Sequence, residues 1–242
     1  MANYLSHMPL WAIVLFIVSF LYSIRYIANP AKQAALDAGF TLQKANNIRF
    51  AIFGFYILYL AYVSVVALQG VFDVSSLPPK VMIWGGTPLL IILFGFIGNT
   101  NLFKTLLQSI KLESLVALHI FRLVGVFFIL LYLYHRLPAA FAFSAGLGDI
   151  STALLALPVA SLVSKGKPGR ITAVYAWNIL GMLDIINLLV IAVVYARDPG
   201  AAARGDLEEM TIFPFVWFPA FAPATILFLH AAVFRKLKQI RK

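Results

Sequence analysis

Six polar side chains sit where polar side chains are hardest to keep. His119, Arg122, Asp149, Asn178, Asp184 and His230 each fall within a long apolar run. An ionisable group near the centre of a bilayer costs about 2.5–3.5 kcal/mol on insertion scales, and such groups pair with one another or mark the path of a proton, ion or solute. Asp184 lies about 20 Å from the inner end of its run at about 1.5 Å per helical residue, too deep for a short carboxylate to reach headgroups. Trp177, Gly181 and Asn187 share its face within about 120° of helical azimuth. Asp149 opens the preceding segment just below its outer end, at a depth close to that of Asp184. Two carboxylates at one level repel, so one holds a proton at neutral pH unless Arg122 or His135 neutralises it. Arg122 is about 10 Å from the inner end of its own run, with His119 one turn earlier on the same face. Asn178 and His230 fall at comparable depth, giving an inner-half polar layer. Plainer readings stay open: Arg122 snorkelling to the headgroups on its long stem, and Asp149 serving as a helix N-cap after Gly148.

Other chemistry finds little support. The chain has no cysteine, which excludes disulfides, thiolate metal sites and cysteine nucleophiles. No phosphate loop, zinc signature or Ser-His-Asp arrangement occurs, so neither metal nor cofactor is expected. His119 and His230 could flank a haem by depth alone. The net charge of +10 does not point to nucleic acid, because the basic residues lie in short loops beside apolar runs.

The elements that must hold these residues are membrane helices. The chain is 62% hydrophobic and 12% charged, with a mean hydropathy of +0.92, against about 45–50% and about 25% in soluble domains. Apolar segments span Pro9–Ala28, Ile48–Gly70, Val81–Gly98, Leu115–Leu137, Gly146–Ser164, Ile171–Ala196 and Ile212–Phe234. Backbone polar groups in lipid must be satisfied internally, and no strand-like alternation is present, so all seven are helices. The fold class is therefore all-α: one polytopic seven-helix bundle over residues 1–242. The first segment lacks a basic flank and a cleavage site and reads as a retained span. Fifteen of the 19 Lys and Arg residues lie on one set of alternate connections, which puts the N-terminus outside and the C-terminus in the cytoplasm. Residues 99–114 read as an inner amphipathic helix or an inward extension of the fourth segment. Residues 197–210 read as a solvated acidic outer loop, and 235–242 as a basic cytoplasmic tail. Ser144, Gly148, Thr152, Ala156, Ala160 and Ser164 form a small-residue stripe suited to close helix packing, with Pro158 kinking the inner end. Tyr56, Tyr59 and Tyr62 read as belt or packing aromatics.

Gly146-Leu147-Gly148-Asp149 resembles the G-x-G-D motif of intramembrane aspartyl proteases, the presenilin and prepilin-peptidase group. That resemblance implies Asp149 and Asp184 as a catalytic dyad. The chain departs from it in the order of the two aspartates, in having no Tyr-Asp motif, and in carrying Pro219-Ala220-Phe221 for Pro-Ala-Leu. The layout is similar to that of rhodopsins, but the last helix offers no lysine before Lys236 for a retinal Schiff base. Three-plus-one-plus-three sugar carriers share the layout too, though not the paired Pro-Gln motif. Arg122-x-x-Gly125, Leu137-Pro138, Phe141-Ala142 and Ala145-Gly146-Leu147-Gly148-Asp149 resemble a pattern in uncharacterised bacterial multi-pass membrane proteins. This implies only the membrane class, with no activity to carry over; the expected location is a bacterial cytoplasmic membrane.

The expectation is a small-solute or proton-coupled carrier with a polar site between helices four, five and six. Asp184 and Asp149 would be proton or cation sites, and Arg122 the partner of an anionic group. Gly85-Gly86-Thr87-Pro88 and the Leu137–Gly148 break are the hints of interrupted helices that carriers use. The alternatives are a ligand-sensing or partner-binding protein and, with Asp149 and Asp184, the protease; the balance is against an enzyme. The expected partners are lipid, a small solute or protons, and a second copy of the chain.

Overall fold

The computed structural model describes residues 4–72 and 76–240, with side chains for all of these but 202 and 203. The chain runs through α1 (Leu10–Asp37), α2 (Leu42–Leu68), α3 (Val81–Asn99), α4 (Asn101–Ser109), α5 (Leu112–Leu133), α6 (Ala139–Ser164), α7 (Arg170–Arg197), α8 (Pro199–Arg204) and α9 (Trp217–Ile240). Seven of these are long and apolar enough to cross a membrane; α4 and α8 are short connectors. Large apolar side chains such as Leu58 and Leu180 are 73% and 62% exposed, a surface suited to lipid tails.

The helices α5 and α9 occupy the interior. The most apolar stretch of α9 is 67% buried, against 17% for α7 at the rim. Helices α3 and α7 flank α9, and α6 packs between α5 and α7. Phe16 on α1 is fully buried, with the rings of Phe20, Phe127, Phe215, Trp217 and Phe218 at 4.6–5.9 Å. That cluster ties α1, α5 and α9 together. In α3, residues Val81–Gly86 and Ile92–Phe96 wind as π-helix. Pro88 has no N–H to offer the carbonyl of Trp84 four residues earlier, and the Tyr62 hydroxyl donates to it at 3.0 Å. The Tyr59 hydroxyl donates to the Gly85 carbonyl. The two tyrosines thus satisfy backbone that an interrupted helix leaves open.

Several expected boundaries move. Pro138 takes extended angles (φ −68°, ψ 146°) and α6 starts at Ala139, so Gly146 and Gly148 are helical, not part of a turn. Asp149 is then in the third turn of α6, about 15 Å from its start, and is not an N-cap. Thr41 caps α2, accepting from the Lys44 amide at 3.3 Å, and α1 continues through Pro30 to Asp37. The last span begins at Trp217, five residues after Ile212. Within the 99–114 stretch Asn101–Ser109 form a separate helix: Lys236 donates to the carbonyls of Leu107 (3.2 Å) and Gln108 (2.6 Å), and Arg235 to that of Gly98 (3.1 Å). Cations thereby meet the carbonyl ends of α3 and α4. Arg241 and Lys242 of the basic tail lie outside the described residues.

The loop after α7 is not simply a solvated linker. Arg204 pairs with Asp206 at 2.7 Å and Asp198 at 3.7 Å in the open, but Glu209 is 4% exposed and accepts from the Ser6 hydroxyl. Beside it the Ser6 amide donates to the Phe213 carbonyl (2.8 Å), and the Phe213 amide to the Tyr4 carbonyl (3.0 Å). The N-terminal segment is thus laced to the loop ahead of α9. Burial raises the Glu209 carboxyl above its ordinary range, while Ser6, Arg136 and His7 pull it down less strongly. A carboxyl raised in the folded state stabilises the fold below its unfolded pKa, and that effect fades as pH rises through the folded value. The melting temperature of the wild type in detergent should therefore fall more between pH 4.5 and neutrality than that of Glu209→Gln. Parallel curves would show that Glu209 does not titrate differently on folding.

Candidate functional site

Arg122 is 1% exposed in the middle of the bundle, so it does not snorkel. Residues Leu118–Gly125 of α5 wind as 3₁₀-helix. At three residues per turn, side chains three apart eclipse, so His119, Arg122 and Gly125 form one line, not the slowly rotating face of an α-helix. All three are buried. The line faces α6, α7 and α9.

The guanidinium uses four of its five N–H groups. Nε donates to Asp149 Oδ1 at 2.7 Å, and Nη2 to Asp184 Oδ2. Nη1 donates to the Gly181 carbonyl and to His230 Nε2, each at 3.3 Å. His230 has its other nitrogen, Nδ1, 2.8 Å from Asn178 Oδ1, and Asn178 Nδ2 donates to the His230 carbonyl at 3.1 Å. Nδ1 therefore carries the ring proton, leaving Nε2 free to accept from Arg122. The His119 ring stacks on His230 (centroids 4.4 Å apart) and meets the edge of Trp177 at 4.9 Å. The Trp177 indole donates to the Thr152 carbonyl at 3.0 Å. One cation on α5 is thus held by groups from three other helices.

Glycines make the approach possible. A Cβ on Gly148 would overlap the Asp184 carboxylate, and one on Gly125 would overlap Asp149. Every fourth position of the α6 stripe permits close packing, but Gly148 is the one that admits a carboxylate.

Six of the seven expected site residues converge here: Asp184, Asp149, Arg122, His119, Asn178 and His230. Asn187 does not; it is exposed and donates to the Ser144 hydroxyl at 2.9 Å. His135 is exposed in the turn after α5, with φ +56°, and neutralises neither carboxylate. Contact between the His119 and His230 rings leaves no space for a haem between them. Both aspartates engage the guanidinium, an arrangement unlike the direct sharing of a proton in an aspartyl dyad. Among the described residues no group of three or more His, Asp or Glu is placed to hold a metal ion. Gly125 was missed as part of the site, although its spacing of three from Arg122 and six from His119 is legible once the helix is known to be 3₁₀.

Asp149 also faces space. A cavity of about 320 Å³ lies between α3, α5, α6, α7 and α9, lined by Phe128, Phe141, Ile185, Leu188, Phe218 and Asp149. Its mouth is at the loop after α7, beside Asp206, Glu208 and Lys80. A second void of about 10 Å³ touches Asp149, Arg122 and Ser23, about the room of one water.

Removing one partner of a buried ion pair costs about 3–5 kcal/mol because the other charge stays buried alone. Arg122→Met should therefore cost about that much, and Asp184→Asn, which leaves the Arg122–Asp149 pair intact, clearly less; melting in detergent reads the order. Gly148→Ala, which drives the Asp184 carboxylate off Arg122, should cost about 1–3 kcal/mol. A neutral Gly148→Ala would mean that the glycine serves packing alone.

A profile of the family described as a domain of unknown function (DUF8737) matches residues 78–238. The match takes in all six residues of the cluster and leaves out α1 and α2. No curated protein and no solved structure matches the chain.

Proposed function

The chain belongs to the DUF8737 family, and we propose that it is a proton-coupled carrier of small solutes in a bacterial cytoplasmic membrane, with its basic connections facing the cytoplasm. The observation that carries this reading is the charge count at the cluster. One guanidinium meets two carboxylates in the middle of seven apolar helices, and one of those carboxylates lines a cavity.

With both aspartates ionised the unit holds one uncompensated negative charge. In a medium where a bare charge costs kilocalories, that charge is balanced by a proton or by a bound cation. Asp184, whose side chain is 15% exposed against 5% for Asp149, is the more accessible of the two. Arg122 can lean on either carboxylate, since its donors address them separately. A solute or proton that reaches Asp149 through the cavity therefore competes with Arg122, and Asp184 is there to take the guanidinium. This gives two arrangements of nearly equal charge balance, which is what alternating states of a carrier require. The π-helical turns of α3 and the 3₁₀ turn of α5 supply the interrupted helices near the site.

The test is uptake into liposomes. Purified protein is reconstituted, a proton gradient is imposed, and a radiolabelled panel of amines, carboxylates, amino acids and sugars is offered. Wild type should accumulate at least one class only while the gradient lasts, and Asp184→Asn should lose that accumulation while keeping a measurable melting transition. No accumulation across the panel, or accumulation unaffected by Asp184→Asn, would overturn the carrier.

A further inference from the structure

The cavity and the cluster beneath it make a more specific statement about the solute. The walls beside Asp149 are apolar, while Ser76, Lys80, Tyr195, Asp206, Glu208 and Thr211 also line the cavity. Asp149 Oδ1 accepts from Arg122, while Oδ2 has no hydrogen-bond partner among the described residues. The charged and titratable groups around it are Arg122 and His119 from α5, Asp184 from α7 and His230 from α9. At the mouth, among the described residues, stand Glu208, Lys80 and the Asp206–Arg204 ion pair.

We infer that this cavity binds an amphiphilic amine, its cationic head on Asp149 and its apolar body between Phe128, Phe141, Leu188 and Phe218. An anionic ligand would end against Asp149, beside a cluster that already carries one carboxylate in excess. A neutral ligand of the same shape would bury the same walls but bring no charge to offset the second carboxylate, which favours the cation. The ammonium also completes the charge balance: two cations then face two carboxylates. A proton and the amine are alternative ways of supplying the same positive charge, so binding of one cation releases one proton from the cluster. No bond other than that to the proton breaks. The inference deepens the carrier reading and rests on it for the movement of the ligand, but binding is measured apart from uptake.

The probe is (4-phenylbutyl)trimethylammonium, whose charge is permanent, so any proton released comes from the protein. Its controls are neutral 4-phenylbutan-1-ol and anionic 5-phenylpentanoate. Calorimetry on the full chain in lipid nanodiscs, in two buffers of different protonation enthalpy, gives affinity and proton release together. The cation should bind at least tenfold tighter than the alcohol, the carboxylate not measurably, with close to one proton released per cation. Asp149→Asn should abolish the preference for the cation. Should that variant fail to fold, Ala222→Leu, which narrows the cavity beside Asp149 and leaves both ion pairs in place, should weaken the cation at least tenfold. Equal binding of cation and alcohol, no binding of the cation, unchanged binding by Ala222→Leu, or binding without proton release would each overturn the inference. Binding as described, with no accumulation of the cation in proton-loaded liposomes, would leave the site standing and remove the carrier.

Discussion

Arg122 is buried out of reach of bulk solvent. A guanidinium in the middle of an apolar bundle must find acceptors on protein, and this one finds them on three neighbouring helices at once. Such a network is costly to break and weak as a source of net stability, because the partners were hydrated before they met. What it supplies is position. The rotation of α5, α6, α7 and α9 about their own axes is set by where Asp149, Asp184, the Gly181 carbonyl and His230 must stand to reach one planar group.

The rest of the interior accommodates that demand. The 3₁₀ winding of Leu118–Gly125 aligns the histidine, arginine and glycine, at the expense of poorer backbone hydrogen bonds. Gly125 and Gly148 remove the side chains that would otherwise fill the carboxylate positions. Asn178 fixes the tautomer of His230, so that the imidazole accepts from the arginine and does not add a second positive charge. On the other side of the bundle the aromatic cluster around Phe16 needs no such precision, and it packs by shape alone. Polar exactness and apolar packing are segregated within one core.

The proposed function rests on the mismatch the network leaves. A fully balanced pair would be a structural strut. One cation stands between two anions here, with one anion lining a cavity, and the proposed uptake of positive charge rests on that imbalance.

The sequence by itself determined the all-helical class and the seven apolar spans, since hydropathy along a helix is a local property. It named six of the residues that meet. It did not determine that Asn187 looks away, that Asp149 lies in a helix and not at its cap, or that Arg122 is shared between both aspartates. Those depend on where α6 starts, on the 3₁₀ turn in α5 and on how each helix is rotated against its neighbours. A residue's azimuth shifts by 100° for each residue's change of register, and packing against other helices sets it. The cavity was equally illegible. It is the space that helices distant in sequence leave unfilled, and no single segment encodes it.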